Sequence, residues 1–152
     1  MHHSTVIAKY LIDKGKKENK YFTQMQILKI VYLCNSAMLY KRDAPLIYDR
    51  IEAWQYGPVI PELYYEICHY GRNYVKEIEV KDENNSNITD ENEIRIINKI
   101  YEELKAYSGP RLSTYTHQKG TPWDVVYKKA GNRAIIDIDI IKACCKNLEK
   151  IV

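Results

Sequence analysis

The chain has one phenylalanine, six glycines and five prolines in 152 residues. The scattered glycines form no GxxxxGK phosphate loop and no GxSxG nucleophile elbow. Cys34, Cys68, Cys144 and Cys145 include no CxxC pair, so no zinc knuckle can be read. Cys144 and Cys145 are neighbours, where a disulfide would be strained. The four histidines, His2, His3, His69 and His117, lack the HExxH spacing of a zinc hydrolase. Cys68 and His69 are adjacent, so on a helix they point about 100° apart and cannot hold one ion. No apolar run approaches the ~20 residues that span a bilayer. Met1-His2-His3-Ser4 leads straight into a helical pattern and not into a signal peptide. The absences describe a cytoplasmic protein with no catalytic motif, no metal, no cofactor and no membrane. A dispersed Cys–His dyad is the enzymatic alternative, since such sites are recognised by geometry.

Charge is ordinary in amount and nearly balanced in sign. The net charge is +3, with Lys and Arg scattered among the acids. Dedicated nucleic-acid binders concentrate basic residues on one face, so nucleic acid is not the expected partner. What abounds is tyrosine, with 14 copies. Tyrosine joins apolar area to a hydrogen-bonding tip, which suits half-buried sites and interfaces as well as a small core.

The periodicity predicts mainly helix. A first helix covers about Ser4 to Asp13, capped by Ser4 or Thr5 and ended by Gly15. Thr23 opens a longer one to about Tyr40, with Ile27, Leu28, Ile30, Val31, Cys34, Ala37 and Met38 on a wide apolar arc. Only Gln26, Lys29, Ser36 and Tyr40 form a polar stripe, so this helix is central. Asn35 falls within the arc, where its amide either anchors a nearby loop or lies at the core edge facing solvent. A strand over Ile51–Gln55, a helix over Pro58–His69 and a second strand over Val75–Val80 follow. Lys81–Asn87 reads as an exposed loop, and Thr89 caps a helix that runs to Leu104. Short helices follow at Leu112–His117, after Thr121-Pro122, and after Asp137 or Asp139, the last with Ile141, Cys144, Cys145 and Leu148 in line. The expected fold class is mainly α with a small β element (α+β). It is a single-domain helical bundle with a short antiparallel sheet of two or three strands. No linker or repeat divides the chain.

Two blocks are more distinctive than composition. One is Ile51-Glu52-Ala53-Trp54-Gln55-Tyr56-Gly57-Pro58-Val59-Ile60-Pro61, which reads as strand, turn and helix start. The other is Thr116-His117 followed by Pro122-Trp123. Trp54 and Trp123 are expected to be largely buried. His117 can serve as a base, a metal ligand or a structural hydrogen bonder, and a lone histidine beside an aromatic favours the last.

These blocks, with Lys29-Ile30-Val31-Tyr32, Pro45-Leu46, Tyr64, His69-Tyr70-Gly71, Tyr107, Leu112-Ser113 and Tyr115, resemble the Panacea domain. It is also called the SocA-like antitoxin domain and is often labelled phage-associated. The likeness is collinear from about Ser4 onward and implies one domain over 4–152. It implies a mostly helical protein that neutralises a toxin encoded beside it by direct contact, without catalysis. In one branch the partner set includes the ClpXP protease, to which the toxin is delivered. The chain departs from the family pattern at Asn35-Ser36-Ala37-Met38 and in a long Lys81–Asn92 segment, both relevant to partner choice. No appended helix-turn-helix or zinc domain is expected. The alternative is a phage- or prophage-encoded regulator of a host protein or nucleic acid. The partner surface is placed at Tyr56, Gly57 and Pro58 with Tyr64 and Tyr65, which lie about 100° apart on their helix. Trp54, His117, Pro122 and Trp123 are placed as the structural motif.

Overall fold

The longest helix is the hub. In the computed structural model, which describes residues 1–82 and 86–144, α2 spans Gln24–Arg42, and every residue from Gln26 to Leu39 is buried. Thr23 and Gln26 close a capping box at its start. Around it stand α1 (Ser4–Lys17), α3 (Pro61–Ile67), α4 (Glu91–Leu104), α5 (Gly109–Thr116) and α7 (Ile138–Ala143). A small sheet, β1 (Glu52–Trp54), β2 (Gly57–Val59) and β3 (Ala134–Ile135), lies beside them, with α6 (Pro122–Ala130) packed on β1 and β3. The sheet order is β2-β1-β3, antiparallel throughout.

Encirclement changes the fate of the polar stripe on α2. Gln26, Lys29 and Ser36 are buried, not wet, and only Tyr40 is exposed. Each buried group has a partner. Gln26 Nε2 donates to Tyr107 O, Lys29 Nζ to Pro58 O, and Ser36 Oγ to the Tyr32 carbonyl one turn back. Asn35 takes the first of its two readings. Its Oδ1 accepts from the backbone N–H of Leu46 at 2.8 Å and of Ile47 at 3.2 Å, tying down the connector after α2.

Several boundaries differ from the periodicity. Gly15 lies inside α1 and does not stop it. A Cβ there would sit 2.6 Å from the Lys20 carbonyl, so glycine lets the returning chain pass close. Pro58 belongs to β2, opposite Ala53, and Pro61 takes the first position of α3. β2 is an edge strand, where a missing N–H is tolerated. Residues 75–80 form no strand against β1, because β3 occupies that edge. Instead Thr23 and Tyr74 form an isolated bridge, and Val75 N–H donates to Phe22 O. Asp90, not Thr89, caps α4, because its carboxylate accepts from both Asn92 and Glu93 N–H. Gly109-Pro110 begins α5 behind the Ser108 cap, earlier than Leu112. Cys145 and Leu148 lie outside the described residues.

The two histidines at the start, assigned no role above, are part of the fold. His2 bridges Ile47 in parallel, and both histidines are buried. The true cap of α1 is His3, whose Nδ1 accepts from Thr5 N–H. Its Nε2 reaches Glu62 Oε2 at 2.8 Å. Ser4 donates through N–H and Oγ to the buried Asp49. His3, Asp49 and Glu62 bring ligand-type atoms within 4.8 Å of one another. In this structure those atoms latch the α1 start to the connector and to α3.

Candidate functional site

The two distinctive blocks meet at the β1–β2 hairpin. Three donors from three helices grip it by the backbone. Trp123 Nε1 of α6 donates to Trp54 O, Ser113 Oγ of α5 to Tyr56 O, and Lys29 Nζ of α2 to Pro58 O. The carbonyls belong to alternate residues. The closeness of this packing explains Gly57, which has φ of 118°. A Cβ there would lie 2.9 Å from Lys29 Nζ and 3.3 Å from Thr116 Oγ1.

Behind the hairpin sits the Thr-His/Pro-Trp block. Thr121 Oγ1 accepts from Asp124 N–H, and Pro122 occupies the first turn of α6. That placement sets Trp123 edge-on to His117 at 5.4 Å and stacked on Tyr127 at 4.7 Å. His117 Nδ1 donates to the Ser113 carbonyl. Both tryptophans are half-buried, short of the burial expected from sequence. Each keeps one face for its neighbours on the hairpin flank. Trp54 packs edge-on to Tyr64 at 5.0 Å, with the Arg133 guanidinium 4.2 Å over its ring. Its indole N–H donates to Glu52 Oε1, while Arg50 Nε holds Oε2. Burial works to raise the Glu52 carboxyl, but these two hydrogen bonds together with the positive charges of Arg50 and Arg133 outweigh it and hold the group below its ordinary value.

In front of the hairpin lies a groove of about 1000 Å³ between α2, the hairpin and the start of α5. Trp54, Tyr56 and Tyr64 line one side, and Tyr21, Met25 and Tyr74 also line it. Tyr56 is 68% exposed and Tyr74 54%. Lys29 lines the groove yet is only 4% exposed. Burial lowers its ammonium from the ordinary lysine value to about 7. Among the described residues, no Asp, Glu, His or Cys lines the groove.

Of the residues placed at the partner surface, Tyr56 and Tyr64 line this groove, while Gly57 and Pro58 are buried and shape the turn. Tyr65 is 59% exposed, does not line the groove, and meets Tyr64 edge-on at 5.3 Å. The sequence places Lys29 on the polar stripe of the long helix and Ser113 in a short helix, and both in the resembling blocks, but marks neither as a site residue. Their convergence on the hairpin needed the fold. Cys68 and His69 lie outside the groove, with His69 tilted against Tyr70 at 4.3 Å.

A family model described as Antitoxin SocA-like, Panacea domain, matches residues 27–124. The matched stretch includes Lys29, the hairpin, Ser113, His117 and Trp123. Antitoxin SocA of Caulobacter vibrioides is 23% identical over 148 residues, covering 93% of this chain and 79% of that protein. No solved structure gives a significant match. No helix among the described residues is long and apolar enough to cross a membrane.

Proposed function

The chain belongs to the family of SocA-like antitoxins with a Panacea domain, and from that premise we infer that it neutralises a toxic protein encoded beside it, by stoichiometric contact and without turnover. The proposed unit runs over 4–152, beyond the matched stretch, since Ile7 and Leu11 of α1 belong to the same core as α2. One observation carries the choice of surface. The backbone-clamped hairpin presents Tyr56 to solvent at the edge of an aromatic groove, with Tyr64 inside and Tyr65 beside it. Tyrosine is frequent in interface hot spots, and a clamped tip loses little entropy when it docks. Gly57 and Pro58 shape this surface and Tyr56, Tyr64 and Tyr65 touch the partner.

The test is co-expression with the product of the adjacent gene. Protection of the cells and co-purification of a complex are expected. Tyr56→Ala and Tyr65→Ala are expected to weaken protection while leaving the melting temperature within about 2 °C of the parent, as exposed substitutions do. Equal killing with and without this protein, and no complex, would end the antitoxin reading. A fall in toxin half-life that requires ClpXP would assign delivery to that protease, and an unchanged half-life would assign sequestration.

A further inference from the structure

The groove has an unusual charge pattern. Among the described residues, four basic side chains, Lys20, Lys29, Arg72 and Arg133, line it without one acid, in a chain where acids are 20 of 152 residues. Lys20 lies over the Phe22 ring and Arg133 over Trp54, whereas Arg72 stands exposed. Lys29 is the most telling. Its ammonium, a donor of three hydrogen bonds, is given one acceptor, Pro58 O at 2.8 Å, and no carboxylate within 4.0 Å among the described residues. A buried cation ordinarily has an ionic partner. The groove wall also holds Gln24, whose enclosed Oε1 is, among the described residues, the buried side-chain polar atom without a hydrogen-bond partner. Between these groups stand exposed apolar surfaces, Tyr21, Met25, Tyr56 and Tyr74.

We propose that the groove seats an extended acidic segment of a partner protein, with a side-chain carboxylate on Lys29 and an apolar or aromatic neighbour against Tyr21, Met25 and Tyr56. That the partner is a toxin rests on the antitoxin reading above; the chemistry of the segment rests on the groove. A peptide supplies both missing kinds of group, a carboxylate for Lys29 and backbone N–H donors for Gln24. A nucleic-acid strand fits less well. It needs a track of exposed cations along its phosphates, and here the central cation is recessed while two others lie on aromatic rings.

The test is fluorescence anisotropy on the full chain with a labelled peptide Glu-Asp-Tyr-Glu-Asp-Leu and its Gln/Asn analogue, with ATP and oligo-dT as competitors. The acidic peptide is expected to bind at least about tenfold more tightly than the analogue. Lys29→Met and Arg72→Glu are each expected to weaken it by about tenfold, Arg72→Glu with an unchanged melting temperature and Lys29→Met in a protein still folded at the assay temperature. Should Lys29→Met not fold, Arg72→Glu on the exposed rim decides alone. The proposal is overturned if neither peptide binds, if the analogue binds equally, if the substitutions change nothing, or if ATP or oligo-dT binds the groove more tightly. The same variants separate this proposal from the antitoxin reading. Full protection by Lys29→Met and Arg72→Glu would sink the groove and leave the antitoxin. Failure of the parent to protect, with Lys29-dependent peptide binding intact, would sink the antitoxin and leave the groove.

Discussion

The indole N–H of Trp123 donates to the main-chain carbonyl of Trp54, so the two tryptophans of this chain are joined through the side chain of one and the backbone of the other. The bond ties α6 to β1 across 69 residues of sequence. Trp123→Ala is expected to cost about 2–4 kcal/mol, somewhat below a fully buried tryptophan because the ring is half-buried. At about 3 °C per kcal/mol the melting temperature should fall by roughly 6–12 °C. Trp123→Phe keeps most of the packing and loses the bond, for about 1 kcal/mol. Circular dichroism on heating reads both, and an unchanged transition in Trp123→Ala would refute the clamp.

Gly57→Ala should be the most damaging small change on the hairpin. It forces a Cβ into a left-handed backbone and to within 2.9 Å of Lys29 Nζ. A loss of about 2–3 kcal/mol in urea unfolding is expected. Gly120, also at positive φ but with open space around it, serves as the control and should lose less on the same substitution.

Lys29 gives stability a pH dependence of definite sign. Its folded value is lowered from 10.5 to about 7, so between those limits the unfolded chain binds more protons than the native one. Stability from this group therefore rises with pH from about 7 to 10.5 and is flat below 7. Lys29→Met removes the titration while orphaning the Pro58 carbonyl. The difference in unfolding free energy between the two proteins should move toward the parent by a few kcal/mol from pH 7 to pH 10. Parallel curves across that range would show that the amine is charged throughout.

Asn35→Ala strands two backbone donors, Leu46 and Ile47 N–H, in the core. The expected loss is about 2–4 kcal/mol, since each buried donor without a partner costs about 1–3 kcal/mol. Asn35→Asp retains an acceptor for both and should recover part of it. If the alanine variant unfolds with the parent, water has replaced the amide.

Much of the architecture is legible in the sequence, and the misses have physical causes. The capping signals at Thr23 and Thr121-Pro122 were readable because capping is local chemistry. The α2 hub showed in its wide apolar arc, but periodicity assigns polar residues to water and cannot see that Lys29 has a carbonyl waiting 29 residues away. Pro58 reads as a helix start because proline suits a first turn, and an edge strand suits it as well. Pairing of β1 with β3 joins residues about 80 apart in the chain, beyond any local pattern. The same holds for the groove, whose lining comes from five separate stretches of the chain.

Every contact of the three-helix clamp on the hairpin side is a main-chain oxygen. Oxygens of the peptide unit are the same whichever amino acid carries them. Gln55 and Tyr56, exposed at the tip, can therefore be exchanged for other residues without loosening the grip. The molecule separates the part that holds the loop from the letters written on it, so one scaffold can be readdressed to a new partner by changes at two adjacent codons.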